Sequence, residues 1–177
     1  MIIWLNGPFG AGKTTTAELL TRRIPGGLLY DPEEVGALVR RLLPDRTCDF
    51  QDVEIWRPLV ADAAHRLLQA YGGTLVVPMT LLDERYATEV FGLLDGYGVT
   101  VHHITLTCDP GVLRERIDQH VHFPDDPILS EDVRQWRLSK IGAYVDAMSW
   151  LPDRSHLVDT TSRPPQDVAD QVLKAVG

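Results

Sequence analysis

The chain has 177 residues, 44% hydrophobic and 24% charged, with a formal net charge of −8 and three lysines against fourteen arginines. That length supports one domain with a sizeable core, and that acidity excludes binding of nucleic acid by bulk charge, so any phosphate-binding arginines must be locally clustered. Cys48 and Cys108 lack metal or redox spacing and read as reduced residues, no apolar run approaches the ~20 residues of a transmembrane segment, and the first strand begins at once without a leader, which together read as cytoplasmic.

Ile2 to Leu5 is a continuous apolar run, the pattern of a parallel strand covered on both faces. It leads into Gly7-Pro8-Phe9-Gly10-Ala11-Gly12-Lys13-Thr14, which fits the phosphate-binding (Walker A) pattern Gly, any four, Gly, Lys, Ser/Thr. Gly7, Gly10 and Gly12 let backbone approach phosphate oxygens, and the turned N–H groups from Ala11 to Thr15 form an anion cradle at a helix start. Lys13 is placed to reach the β- and γ-phosphates of ATP, and the Thr14 hydroxyl to ligate Mg²⁺. Strand before and helix after the loop are the context this pattern requires.

The following helix buries Ala17, Leu20 and Ile24, and Pro25-Gly26-Gly27 stops it. Leu28 to Asp31 reads as a short strand, and Pro32 opens a helix that Pro44-Asp45 ends near Leu43. Asp31 thus lies at a strand's carboxyl end, where open α/β sheets bind ligands, while Glu33 and Glu34 read as first-turn acids complementing the helix dipole. After a polar connection, Val53, Trp56, Val60, Leu67 and Tyr71 follow a 3.6-residue period. The helix either starts at Pro58 or kinks there, and Arg57 before it is pushed away from α geometry.

Thr74 to Pro78 is the most apolar strand, hence central, and delivers Met79 and Thr80 to the sheet's carboxyl edge. A helix over about Asp83 to Leu94 precedes a strand over Val99 to Thr107, on which His102 and His103 point to opposite faces. Asp109-Pro110 opens a helix to about Ile117; the next helix spans Asp132 to Met148, the last strand His156 to Asp159, and a short final helix turns Val168, Val172, Leu173 and Val176 inward. Helices between strands predict an α/β class: a single P-loop NTPase domain, a five-stranded parallel sheet with helices on both faces.

The stretch from about 118 to 131 is flanked by Arg114, Arg116, Arg134 and Arg137 and is similar to the short lid of nucleotide and small-molecule kinases. Arg116 and Arg137 are the pair expected at the transferring phosphoryl group, since such chemistry needs charge neutralisation more than covalent help. His120, His122, Asp125 and Asp126 in that stretch have no defined metal geometry. Arg163, in the loop after the last strand, stands where adenine is wrapped and offers a stacking guanidinium. The third strand ends without an acid, so Asp31 is the substitute that either holds a Mg²⁺-bound water or acts as base toward an acceptor hydroxyl.

The blocks Met1-Ile2-Ile3-Trp4, Asn6-Gly7-x-Phe9-Gly10-x-Gly12-Lys13-Thr14, Tyr30-Asp31-Pro32-Glu33, Trp56-Arg57, Val77-Pro78-Met79-Thr80 and Val101-His102-His103 fall in order over residues 1 to 108. In them the chain resembles the bacterial tunicamycin resistance family. The resemblance implies an ATP-binding protein acting on a uridine-containing nucleoside antibiotic, with Asp31, Arg57 and Thr80 lining the acceptor side. Phosphotransfer to that small molecule is the leading expectation. ATP-dependent sequestration without chemistry and a general nucleotide or metabolite kinase are the alternatives.

Overall fold

A computed structural model describes residues 1–43, 49–121 and 123–177. Pro44, Asp45, Cys48 and His122, to which the sequence reading refers, lie outside the described residues. In chain order the elements are β1 (Ile2–Asn6), α1 (Lys13–Arg23), β2 (Gly27–Leu29), α2 (Pro32–Leu42), α3 (Trp56–Tyr71), β3 (Thr74–Pro78), α4 (Glu84–Gly96), β4 (Val101–Thr107), α5 (Pro110–Gln119), α6 (Pro127–Ala147), α7 (Leu151–Arg154), β5 (His156–Asp159) and α8 (Pro165–Val176). All five strands are parallel, in the order β2-β3-β1-β4-β5. Strand order reverses at β1, and the loop after β1 therefore opens at the point where doubly wound sheets form their binding crevice.

The apolar runs that predicted parallel strands are buried on both faces. Ile2, Trp4, Leu75 and Val77 join α2, α3 and α4 in one core, whereas Ile3, Leu5, Val76, Ile104, Leu106 and Val158 join α1, α5, α6 and α8 in another. Trp4 meets Phe91 edge to face with ring centroids 5.2 Å apart. Alternation along each strand is thus satisfied twice over, which is why these strands read as unbroken hydrophobic segments.

Several boundaries differ from the sequence reading, each for a local reason. β2 is Gly27–Leu29; Tyr30 still donates its N–H to Val76, but Asp31 has left the strand to cap α2, its side chain accepting from the Glu33 N–H. α3 starts at Trp56, and Arg57 is helical despite preceding Pro58. Proline in the first turn forfeits an N–H that has no intrahelical acceptor, and Arg57 is held by Glu89 Oε2 at 2.5 Å and the Gln51 carbonyl at 2.6 Å. β4 begins at Val101, because the Val99 N–H closes the preceding turn onto Leu94. α6 begins at Pro127 rather than Asp132, with Asp126 as its cap and proline at its first position, leaving residues 120–126 between α5 and α6. A 3-10 turn at Phe50–Asp52 and the four-residue α7 are additional.

Candidate nucleotide and acceptor site

Four helices, α2, α4, α5 and α6, start on an aspartate whose side chain accepts from first-turn N–H groups. α1 has no such cap. Its N-cap is Gly12 at φ +87°, no side chain caps it, and no acid lies in its first turn. A helix start left with bare N–H donors, beside a glycine with open space around it, is what an anionic phosphate would complete. Gly7 is fixed more tightly: at φ +128° a Cβ there would lie 2.3 Å from the Leu106 carbonyl.

Asn6 holds the start of this loop in a way the sequence did not disclose. Its side-chain oxygen accepts from the N–H groups of Gly7 and Leu81, and its amide donates to the Leu81 carbonyl at 2.7 Å. The Thr80 hydroxyl donates to the Gly7 carbonyl at 3.0 Å. The ends of β1 and β3 are therefore laced together directly beneath the loop. His103 lies 3.1 Å from the Asn6 amide and 3.0 Å from the Arg154 carbonyl, and burial lowers its pKa to about 4.

Lys13 folds back onto its own loop, donating to the Gly7 and Pro8 carbonyls at 2.9 and 2.8 Å. Burial lowers its pKa to about 7, against the raising influence of Glu33 and Asp31. An arriving phosphate would reverse that shift by placing negative charge beside the ammonium. A cleft of about 330 Å³ above the loop collects Gly10, Gly12, Lys13, Thr14, Thr15, Asp31, Glu33, Arg116 and Arg137. Burial raises the pKa of both Asp31 and Glu33.

The two arginines singled out from sequence both line this cleft but are held by different partners. Arg137, on α6, lies with its guanidinium 5.1 Å over the Phe9 ring, and its buried Nε has no hydrogen-bond partner among the described residues. Arg116, on α5, donates to the carbonyls of Thr160 (2.8 Å), Thr161 (3.1 Å) and Gly10 (3.3 Å). Its guanidinium ties the loop after β5 to the phosphate loop. There a second cleft of about 270 Å³ runs between Ala11, Thr15, Arg116, Thr160 and Arg163, so Arg163 and Arg116 share its lining.

On the other side of Phe9 lie two wider clefts. One, of about 540 Å³, runs between α2 and α6 and is lined by Glu33, Arg40, Phe50, Phe123, Trp136 and Arg137 among others. The second, of about 510 Å³, lies beside Thr80, with Gln51, Tyr86 and Trp150 in its walls. Gln51 and Phe9 belong to both. Arg57 stands behind the wall: 7% exposed, ion-paired with Glu89, its guanidinium 4.4 Å over the Tyr86 ring. Glu33 is the residue the sequence reading undervalued. It lines both the phosphate cleft and the α2–α6 cleft, as do Phe9 and Arg137. Its place as the second residue of α2, two positions after the capping Asp31, was the available signal.

Among the described residues no group of three or more His, Cys, Asp or Glu side chains is gathered for a metal, and no helix is long and apolar enough to cross a membrane. A Mg²⁺ ion fits this donor set only as the companion of bound phosphates, with the Thr14 hydroxyl as its protein ligand.

A family profile described as "AAA domain" matches residues 2–139. No curated protein matches the chain. Among solved structures, the tunicamycin resistance protein of Deinococcus radiodurans is 30% identical, with 99% of this chain and 95% of that one covered and a TM-score of 0.74. A sugar kinase from Janibacter (14% identity, 99% and 93% covered, TM-score 0.69) and the Mycobacterium tuberculosis APS kinase in complex with AMPPNP and APS (19%, 99% and 96%, 0.66) share the fold.

Proposed function

The chain belongs to the AAA-domain family and to that of the tunicamycin resistance protein, and from this premise we propose that it is an ATP-dependent phosphotransferase acting on tunicamycin or a similar nucleoside-sugar. One observation carries the reading. The cleft above the uncapped start of α1 holds Lys13, Thr14, Asp31, Glu33 and Arg137 together, and through Phe9, Glu33 and Arg137 it adjoins a cleft wide enough for an acceptor.

The first-turn N–H groups of α1 and Lys13 hold the β- and γ-phosphates, while Arg116 and Arg163 frame the base side. Mg²⁺, bound with the nucleotide through Thr14, supplies charge neutralisation on the phosphates. Asp31 keeps one carboxylate oxygen on the Glu33 N–H and presents the other to the acceptor hydroxyl. Its raised pKa makes it the better proton acceptor at neutral pH. The hydroxyl oxygen bonds to the γ-phosphorus as its proton passes to Asp31, the bond from that phosphorus to the bridging oxygen breaks, and ADP leaves. Arg137 neutralises charge on the transferring oxygens, and Thr80, with Arg57 behind Gln51 and Tyr86, shapes the acceptor side.

A gain of one phosphoryl mass on tunicamycin incubated with the protein and Mg-ATP is the test. Sequestration without chemistry is the second reading, favoured by the absence of an acid in Pro78-Met79-Thr80 at the end of β3. Drug recovered unchanged, yet bound only when ATP is present, would select it.

A further inference from the structure

The phosphate-binding pattern leaves the four positions after Gly7 open, yet one of them carries a bulky aromatic ring, Phe9. Phe9 borders the phosphate cleft and both wider clefts. It is half-buried against the core that α1, α5, α6 and α8 share, and its ring centroid lies 5.0 Å from that of Trp136. Two cations stand over this one ring, the Arg137 guanidinium at 5.1 Å and the Lys13 ammonium at 5.4 Å from its centroid. They are held differently. Lys13 also donates to the Gly7 and Pro8 carbonyls. Arg137 is half-buried and lines the phosphate cleft, and among the described residues it makes no hydrogen bond or ion pair, even at its buried Nε. Arg116 and Arg57, by contrast, are tied to carbonyls and to a carboxylate.

Resting on the phosphotransferase reading, we propose that Phe9 is a positioning residue for Arg137: its ring face holds the guanidinium over the phosphate cleft in place of a hydrogen-bonded partner, which leaves the N–H donors of Arg137 to the terminal phosphoryl group. A carboxylate could hold the arginine as firmly, but it would occupy those donors and cancel the charge that the phosphoryl group needs. The ring attracts the cation through its quadrupole and takes no donor. Trp136 precedes Arg137 on α6 and packs against the ring, so the brace and the cation arrive on one helix. Pure packing would ask only for apolar bulk at position 9, which leucine supplies without an aromatic face.

Isothermal titration of the full chain with AMPPNP and with ADP, each with Mg²⁺, tests this without turnover, because the ratio of the two affinities isolates the terminal phosphoryl group. Arg137→Ala should lower the preference for AMPPNP by roughly 10–100-fold. Phe9→Leu should lower it about 3–30-fold, and Phe9→Tyr, which keeps the face, should stay within about threefold of the wild type. Placed in the Arg137→Ala background, Phe9→Leu should change the ratio no further, since the ring acts through the guanidinium. Losses that add in the double variant, equal losses with leucine and tyrosine, or an unchanged ratio in Arg137→Ala each overturn the proposal and leave phosphoryl transfer, read separately by mass, standing. Non-additive losses without any mass gain on tunicamycin support the hold on Arg137 and overturn phosphotransfer alone.

Discussion

At the scale of single residues, the site depends on groups whose ordinary charge state is displaced by burial. Lys13, Asp31 and Glu33 lie within one cleft, each moved toward its neutral form by desolvation; the lysine and the two carboxylates draw one another back toward the charged form, while Asp31 pushes Glu33 further toward neutral. His103 shows the same force outside the reaction. Half-buried against Phe91 and Asn6, it has its pKa lowered by desolvation from 6.5 to about 4. The folded state therefore resists the proton that the unfolded chain accepts, so stability is full above pH 6.5 and declines as pH falls toward 4. Urea unfolding should find the protein less stable at pH 4.5 than at pH 7 by about 2 kcal/mol on account of this group. A His103→Asn variant should lack that part of the decline. An identical pH slope in both proteins would contradict the assignment.

Local chemistry made much of the elements legible. Continuous apolar runs marked β1 and β3, the Gly-Lys-Thr loop marked the start of α1, and Asp31-Pro32 and Asp109-Pro110 marked capped helix starts. Asp126-Pro127 carried the same signal, and α6 begins there, but the stretch from about 118 to 131 was read as a lid and the helix as starting at Asp132. Arg57 was misjudged for another reason. The anchors that keep it helical, Glu89 and the Gln51 carbonyl, are distant in sequence or lie in a turn with no apolar period. α7, a single turn, has too few residues to show a period at all. Packing between elements also distinguishes glycines that sequence treats alike. A Cβ on Gly36 of α2 would lie 2.7 Å from the Phe50 ring, whereas one on Gly92 of α4 meets nothing within 4 Å. Gly36→Ala should lower stability by about 1–3 kcal/mol, as overpacking does. Gly92→Ala should raise it by roughly 0.5–1 kcal/mol through helix propensity. Thermal melts giving the opposite order would show that α2 does not pack on the turn at Phe50 as described.

At the scale of the whole molecule, alternation of strands and helices was enough to predict a parallel sheet with both faces covered, and the order β2-β3-β1-β4-β5 places the loop after β1 at its switch point. What pattern could not disclose was how differently the two arginines that line this cleft are held. Arg116 and Arg137 flank the same stretch of sequence, yet one ties Gly10 to the loop after β5 and the other lies over Phe9. Nor could pattern reveal the cleft beside Thr80, which draws on the connection before α3, on α4 and on α6. Because the uncapped start of α1 sits at the centre of the sheet, a bound nucleotide should stabilise the entire fold. At ATP concentrations about 100-fold above Kd the gain is about 2.7 kcal/mol, or roughly 5–10 °C in Tm for a chain of this size. Lys13→Ala should show little of it; a full shift in that variant would place the nucleotide elsewhere.

The most direct measurement incubates tunicamycin with γ-labelled Mg-ATP and the wild-type, Lys13→Ala or Asp31→Asn protein, and follows label and mass on the recovered drug. One added phosphoryl group is expected with the wild type, none with Lys13→Ala, and transfer about 10²–10⁴-fold slower with Asp31→Asn, which still binds ATP. Drug recovered without label from the wild type, or labelled equally fast by all three proteins, would contradict phosphotransfer.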